Sequence, residues 1–211
     1  DQPIAREHTC SVKFDARKAV FGRDDVIPAW VADMDFRPPE AVVDTLRSLA
    51  KHGIFGYFGD DTAYLDAICW WMKARHGWEV DPGHIFSTHG LVNGAGLCVD
   101  AFTDPGDNVV MFTPIYHAFF RVIRAAGRGV TELPMHLDDG LYTLDFAAYD
   151  EKMTGKEKML ILCSPHNPGG RVWSPEELKA VLDFAKRHDL ILVSDEIHHD
   201  LVLPGHTHTP M

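Results

Sequence analysis

The stretch KMLILCSPHNPGGRVWSPEELKAVLDFAKRHDLILVSDE, residues 158–196, decides the fold. Two apolar runs, KMLILCS (158–164) and LILVSDE (190–196), flank the segment SPEELKAVLDFAKRHD. Each run is too short for a helix and apolar nearly throughout, as strands covered on both faces are. Between them, Ser174 is placed to cap a helix, Pro175 suits its first position, Glu177 closes a capping box, and the last turn is basic. Strand, helix and strand in this order predict a β-α-β unit, hence an α/β fold with a mostly parallel sheet.

The same alternation extends toward the amino terminus. HIFST (84–88), NVVMFT (108–113) and GVTELP (129–134) read as further strands. Upstream, PPEAVVDTLRSLAKHG (38–53) and DDTAYLDAICWWMKARHG (60–77) read as amphipathic helices that stop at Gly53 and Gly77. Residues before Pro38 do not share the pattern. The expected division is therefore an arm and small-domain segment over 1–40 and a large α/β domain over 41–211.

Composition narrows the function. With 211 residues, 45% hydrophobic and 24% charged, the chain can bury a substantial core. A formal charge of −11 and the lack of any Lys/Arg cluster exclude a phosphate-backbone partner, so no nucleic acid is expected. Cys10, Cys69, Cys98 and Cys163 are widely spaced, which suggests neither a zinc knuckle nor a disulfide framework. No run is long enough to span a bilayer, and DQPIAREHTC lacks the basic start and apolar stretch of a signal peptide. A cytoplasmic protein with no membrane partner is the expectation.

Ligands of parallel sheets collect at the carboxyl ends of strands, so polar residues there are informative. Gly90, after HIFST, opens a small-residue helix whose free N–H groups suit a phosphate, although a tight turn would also need this glycine. Tyr116, after NVVMFT, offers a flat face to a ring or fills the core. Asn167, held between two prolines, can donate a hydrogen bond or simply occupy a turn. Asp195 ends an apolar strand, where an unpaired charge is costly, and no basic residue nearby in sequence is an obvious partner. A carboxylate, a neutral donor, an aromatic face and a helix start together match pyridoxal 5′-phosphate, with its protonated ring nitrogen, phenolic oxygen, planar ring and phosphate.

The residues that carry this reading also carry a resemblance. PAWVADMDF (28–36), GIFGYF (53–58), TPIYHAFF (113–120), CSPHNPGGRVW (163–173) and SDEIHHDLV (194–202) resemble the fold type I pyridoxal-phosphate enzymes of the aminotransferase class I/II group, in the cystathionine β-lyase-like C–S lyase branch. The resemblance covers the first half of such an enzyme. It implies that Asp195 pairs with the pyridine nitrogen and that Asn167 bonds the phenolic oxygen. Tyr116 would stack on the ring, and the backbone of Gly90, Leu91 and Val92 would hold the phosphate. Tyr57 would reach the phosphate of a neighbouring subunit, which implies a homodimer. His198 would lie with the cofactor-binding residues and Asp33 on the substrate side. His89, Gly169 and Phe14 differ from the residues usual at their positions, and none of these changes removes a side chain that the cofactor needs.

The implied activity is β-elimination from cystathionine or a cysteine conjugate, giving a thiol, pyruvate and ammonia. Transamination uses the same residues, and a non-catalytic interaction protein on the same fold is an alternative of another class. The resemblance places the Schiff-base lysine on a strand after Asp195, whereas the last lysine here is Lys186, so residues 1–211 alone are expected to be inactive. His198, His199, His206 and His208 match no standard ligand spacing and read as turn histidines; no metal is expected.

Overall fold

The computed structural model describes residues 4–211 and divides the chain into two compact units, Asp1–Gly59 and Asp60–Met211. The first unit thus takes in helix Glu40–His52, which the sequence reading assigned to the large domain.

In the second unit, β1 (Asn108–Thr113), β2 (Gly129–Pro134), β5 (Glu157–Cys163) and β6 (Ile191–Asp195) form one sheet in the order β2-β1-β5-β6, with every neighbouring pair parallel. Strand β5 lies in the middle and is buried at every position but Lys158, as its unbroken apolar run requires. Side chains alternate across the pleat. Val110, Phe112, Leu160 and Leu162 pack on one face with Tyr149 of α7 (Phe146–Asp150) and Val181 and Phe184 of α8 (Pro175–Arg187). Val109, Met111, Met159, Ile161 and Cys163 pack on the other with Val99 of α5 (Leu91–Phe102) and Phe119 and Ile123 of α6 (Ala118–Ala125). The result is a sheet between two helical layers. Each fully buried aliphatic or aromatic side chain in it contributes about 1.5–3 kcal/mol.

The β5-α8-β6 unit forms as its sequence dictates. The Ser174 hydroxyl accepts from Glu177 N–H, and the Glu177 carboxylate accepts from Ser174 N–H, so the capping box closes in both directions. A short antiparallel hairpin, β3 (His136–Asp138) with β4 (Leu141–Thr143), precedes α7 and turns through Asp139 and Gly140, both at positive φ. The remaining helix of this unit, α4 (Thr62–His76), ends at Gly77 in the left-handed conformation.

One expected strand does not form. Pro82–His84 make a 3₁₀ turn, and residues 85–88 run on without a ladder, Phe86 being 91% exposed. A strand exists only where a partner accepts its backbone bonds, and no described segment pairs with this one.

In the first unit, α1 (Val12–Asp15) and α2 (Arg17–Phe21) precede α3 (Glu40–His52), which ends at left-handed Gly53. Arg6 pairs with Asp33 and Asp35, Lys13 Nζ reaches Asp35 at 2.9 Å, and Trp30 Nε1 donates to the Lys13 carbonyl at 3.1 Å. Among the described residues no helix is long and apolar enough to cross a membrane.

Candidate active site at the strand ends

Strands β1, β5 and β6 are adjacent, and their carboxyl ends carry Tyr116, Asn167 and Asp195 in turn. The sheet register places Cys163 opposite Asp195, and Ser164 N–H donates to the Asp195 carbonyl at 2.9 Å. Asn167 therefore projects from a turn that starts beside the last residue of β6.

That turn is tightly held. Asn167 N–H donates to Cys163 Sγ at 3.3 Å, the Cys163 thiol donates to the Pro165 carbonyl, and Trp173 Nε1 donates to the Cys163 carbonyl at 2.9 Å. Burial pushes the Cys163 thiol up to about 12, so this sulfur is a structural acceptor and not a nucleophile. His166 accepts from Gly169 N–H through Nδ1 at 3.1 Å, and its backbone exchanges bonds with Gly170 and Arg171. Burial pushes His166 down to about 4, which keeps the ring neutral at physiological pH.

Asp195 and Glu196 are neighbours with opposite surroundings. Glu196 accepts from the Ser194 hydroxyl, from His208 Nε2 and from Met211 N–H. Burial opposes its charge, but these donors outweigh it and hold the carboxyl below its usual range. Asp195 receives only Ile197 N–H at 3.1 Å, and among the described residues no Lys, Arg or His forms an ion pair with it. Burial accordingly pushes its carboxyl upward. Its carboxylate end of β6 opens on a cleft of about 570 Å³ walled by Phe86, Leu91, Ala95, Phe102 and Val193. A half-buried acid facing an apolar cleft calls for a cationic partner.

Leu91 brings the start of α5 into that same cleft. The helix is preceded by Gly90 at φ +88°, a conformation that L side chains rarely adopt, and no side chain caps it. Gly94 N–H makes the first backbone bond, to the Gly90 carbonyl, so the N–H groups of Leu91 and Val92 are left without an intrahelical acceptor. With no acidic residue in the first turn, this helix start favours an anion.

Tyr116 is half-buried against the core, its ring edge-on to Phe119 at 5.7 Å. His198 lines a different cleft, of about 430 Å³, with Pro165, His166 and Arg171 from the Asn167 turn. Tyr57 and Asp33 belong to the other unit. Tyr57 is fully exposed and Asp33 is engaged by Arg6.

The sequence reading missed Arg171. Its guanidinium lies over the Trp173 ring at 4.3 Å and its Nη2 donates to both Glu177 oxygens, at 2.6 and 2.7 Å, which ties the Asn167 turn to the capping box of α8. The available signal was the lone basic residue in GGRVW, placed six positions before an acid already committed to a cap.

Known proteins resemble this chain along its whole length. Cystathionine beta-lyase PatB of Bacillus subtilis is 44% identical over 211 residues, covering 100% of this chain and 54% of PatB. Cystalysin from Treponema denticola, whose crystal structure contains a pyridoxal 5′-phosphate cofactor, superposes with a TM-score of 0.91 at 37% identity, covering 99% of this chain and 54% of cystalysin. A pyridoxal-phosphate-bound C-S lyase from Staphylococcus hominis gives 0.89 at 34% identity over 99% of this chain and 54% of its own. The chain thus spans about half the length of the relatives it matches. The profile described as Aminotransferase class I and II matches residues 28–210, a span that includes every strand end described above. The chain belongs to the aminotransferase class I and II family.

Proposed function

We propose that the protein carrying this chain is a pyridoxal-phosphate-dependent β-C–S lyase, converting cystathionine or a related cysteine conjugate and water to a thiol, pyruvate and ammonia. The observation that carries the proposal is Asp195, a half-buried carboxylate with one hydrogen bond and no cationic partner among the described residues, at the edge of an apolar cleft shared with an uncapped helix start. The cofactor's chemistry fits this donor set. A protonated pyridine nitrogen satisfies Asp195, and a phosphate satisfies the free N–H groups at the start of α5. The 44% identity to PatB and the likeness to C-S lyases support a lyase over other members of the family.

Bound pyridoxal phosphate supplies an electron sink for the pair left on the substrate α-carbon after its proton is removed. The residues of this chain set up that sink. Asp195 holds the proton on the ring nitrogen, because burial disfavours its carboxylate, the one N–H from Ile197 offsets this only in part, and a cation beside it restores the charge. Asn167 donates its amide N–H to the phenolic oxygen from a turn locked by Cys163 and His166. Tyr116 covers one ring face; Gly90, whose own N–H is given to the Thr88 carbonyl, shapes the turn that presents the free N–H groups of Leu91 and Val92 to the phosphate. His198 on the cofactor side and Asp33 on the substrate side complete the assignment.

A homodimer belongs to the same proposal, Tyr57 reaching the neighbouring subunit's phosphate; its ring is fully exposed within its own chain, as such a role requires. A reducing, cytoplasmic setting suits four cysteines that are all free thiols.

The test is the product balance from cystathionine. The full-length protein with pyridoxal phosphate is expected to release thiol and pyruvate in equal amounts with no added 2-oxo acid. Consumption of the amino acid only when a 2-oxo acid is supplied would show an aminotransferase instead.

A further inference from the structure

Outside the strand-end site, three histidines and a carboxylate converge where the end of α4 meets the segment after β6. His76 Nε2 lies 3.0 Å from Asp200 Oδ1, and His199 Nε2 lies 3.2 Å from Asp200 Oδ2. The donor atoms of these three residues all fall within 4.8 Å of one another. Trp71 Nε1 donates to both Asp200 oxygens, at 2.9 and 3.1 Å, and so fixes the carboxylate.

The tautomers are set from outside. His199 Nδ1 is 2.6 Å from the Glu196 carbonyl, which can only accept, so Nδ1 carries a hydrogen and Nε2 is the ring nitrogen that faces Asp200. Two acceptors facing each other at that distance need a proton or a cation between them. His208 repeats the pattern: its Nε2 donates to Glu196 Oε2 at 3.0 Å, while its Nδ1 is buried without any partner. The His208 side chain is 1% exposed and lines the same cleft, of about 330 Å³, as His76, His199 and Asp200. The His208 ring centroid is 5.7 Å from that of His76 and 6.1 Å from that of His199, and the latter two are 4.6 Å apart. Ring nitrogens held by a carbonyl or carboxylate on one side and bare on the other are the arrangement of metal-binding histidines.

We propose that His76, His199 and Asp200, with His208 Nδ1 as fourth donor, form a site for a divalent transition ion of the Zn²⁺ class. Three imidazoles and one carboxylate select such an ion over Ca²⁺ or Mg²⁺, which prefer all-oxygen sets. Zn–N and Zn–O bonds of about 2.0–2.2 Å place tetrahedral donors about 3.3–3.6 Å apart; the donors of His76, His199 and Asp200 already lie within 4.8 Å of one another, and His208 Nδ1 joins them by a movement of its ring. The ion ties the end of α4 to the segment that directly follows Asp195. The ligands lie in two regions 124 positions apart, which is why spacing within HHDLVLPGHTH alone shows no metal pattern.

The test uses the full-length protein, purified without a histidine tag and stripped with chelator. Titration with Co²⁺ and Zn²⁺ is expected to show one tight ion per chain, with the visible absorption of tetrahedral Co²⁺ and a rise in melting temperature. His76→Gln and His199→Gln should each weaken binding at least tenfold, while His136→Ala, on the exposed hairpin, should not. Gln retains a hydrogen bond for Asp200, and an unchanged metal-free melting temperature shows that each variant folds. No stoichiometric binding by the parent protein, or one tight ion retained in both Gln variants, overturns the proposal.

Discussion

The contrast between Asp195 and Glu196 shows how one position in a chain decides the chemistry available to a carboxylate. Glu196 points where Ser194, His208 and Met211 supply donors, and its charge is settled within the protein. Asp195 points into an apolar cleft with one backbone donor, so its charge is settled only by something bound there. Asn167 acts on the opposite edge of the same proposed ring. Its replacement by alanine removes a donor to an anionic oxygen, worth about 1.5–3 kcal/mol, and is expected to weaken cofactor binding about 10- to 150-fold; titration followed by absorbance measures this. Gly90→Ala places a side chain at φ +88°, at a cost of about 1–3 kcal/mol, and should lower both stability and cofactor affinity. Asp195 was legible in the sequence because an acid ending an apolar strand has no local explanation. The saturation of Glu196 was not, since its partners lie 12 and 15 residues onward in a segment without regular structure. His76 escaped notice for the same reason, lying 124 residues from Asp200.

At the scale of elements, stability resides in features with short sequence signatures. Ser174→Ala removes one half of the α8 capping box and is expected to cost about 1 kcal/mol in denaturant unfolding. Strand β5 begins at Glu157, 2% exposed, whose carboxylate accepts from Thr131 Oγ1, from the N–H and hydroxyl of Thr154 and from Gly155 N–H. Burial disfavours its charge, but the donors win and hold its carboxyl down at about 2, against an ordinary value of 4.5. A depressed folded-state value means that the stabilisation is fully present above about 4.5 and is lost as pH falls toward 2. Melting curves from pH 6 to 2 should show a loss in that window that Glu157→Gln does not share, the variant being less stable by about 1–3 kcal/mol at pH 7. Strands β1, β2, β5 and β6 and helices α3, α4 and α8 were legible because each has an apolar pattern bounded by Gly, Pro or a cap. The run 84–88 has the same composition, yet its strand state depends on a partner that composition does not reveal.

At the scale of the whole molecule, the two units account for the residues that the strand ends do not explain. Tyr57 lies in Asp1–Gly59, fully exposed, and its proposed role is on another subunit. The full-length protein should sediment as a dimer, and Tyr57→Phe should weaken cofactor binding by one hydrogen bond, about 0.5–1.5 kcal/mol, or more if the bond is charge-assisted. A fully active monomer in sedimentation would remove this part of the proposal. Lyase activity itself depends most directly on the charge at the end of β6. Asp195→Asn keeps the shape of the side chain and removes that charge, so the variant should still bind pyridoxal phosphate while pyruvate release from cystathionine, at saturating cofactor, falls about 100-fold or more. Near-normal pyruvate release by Asp195→Asn would contradict the assignment of Asp195 as partner of the ring nitrogen and, with it, the site built around that residue.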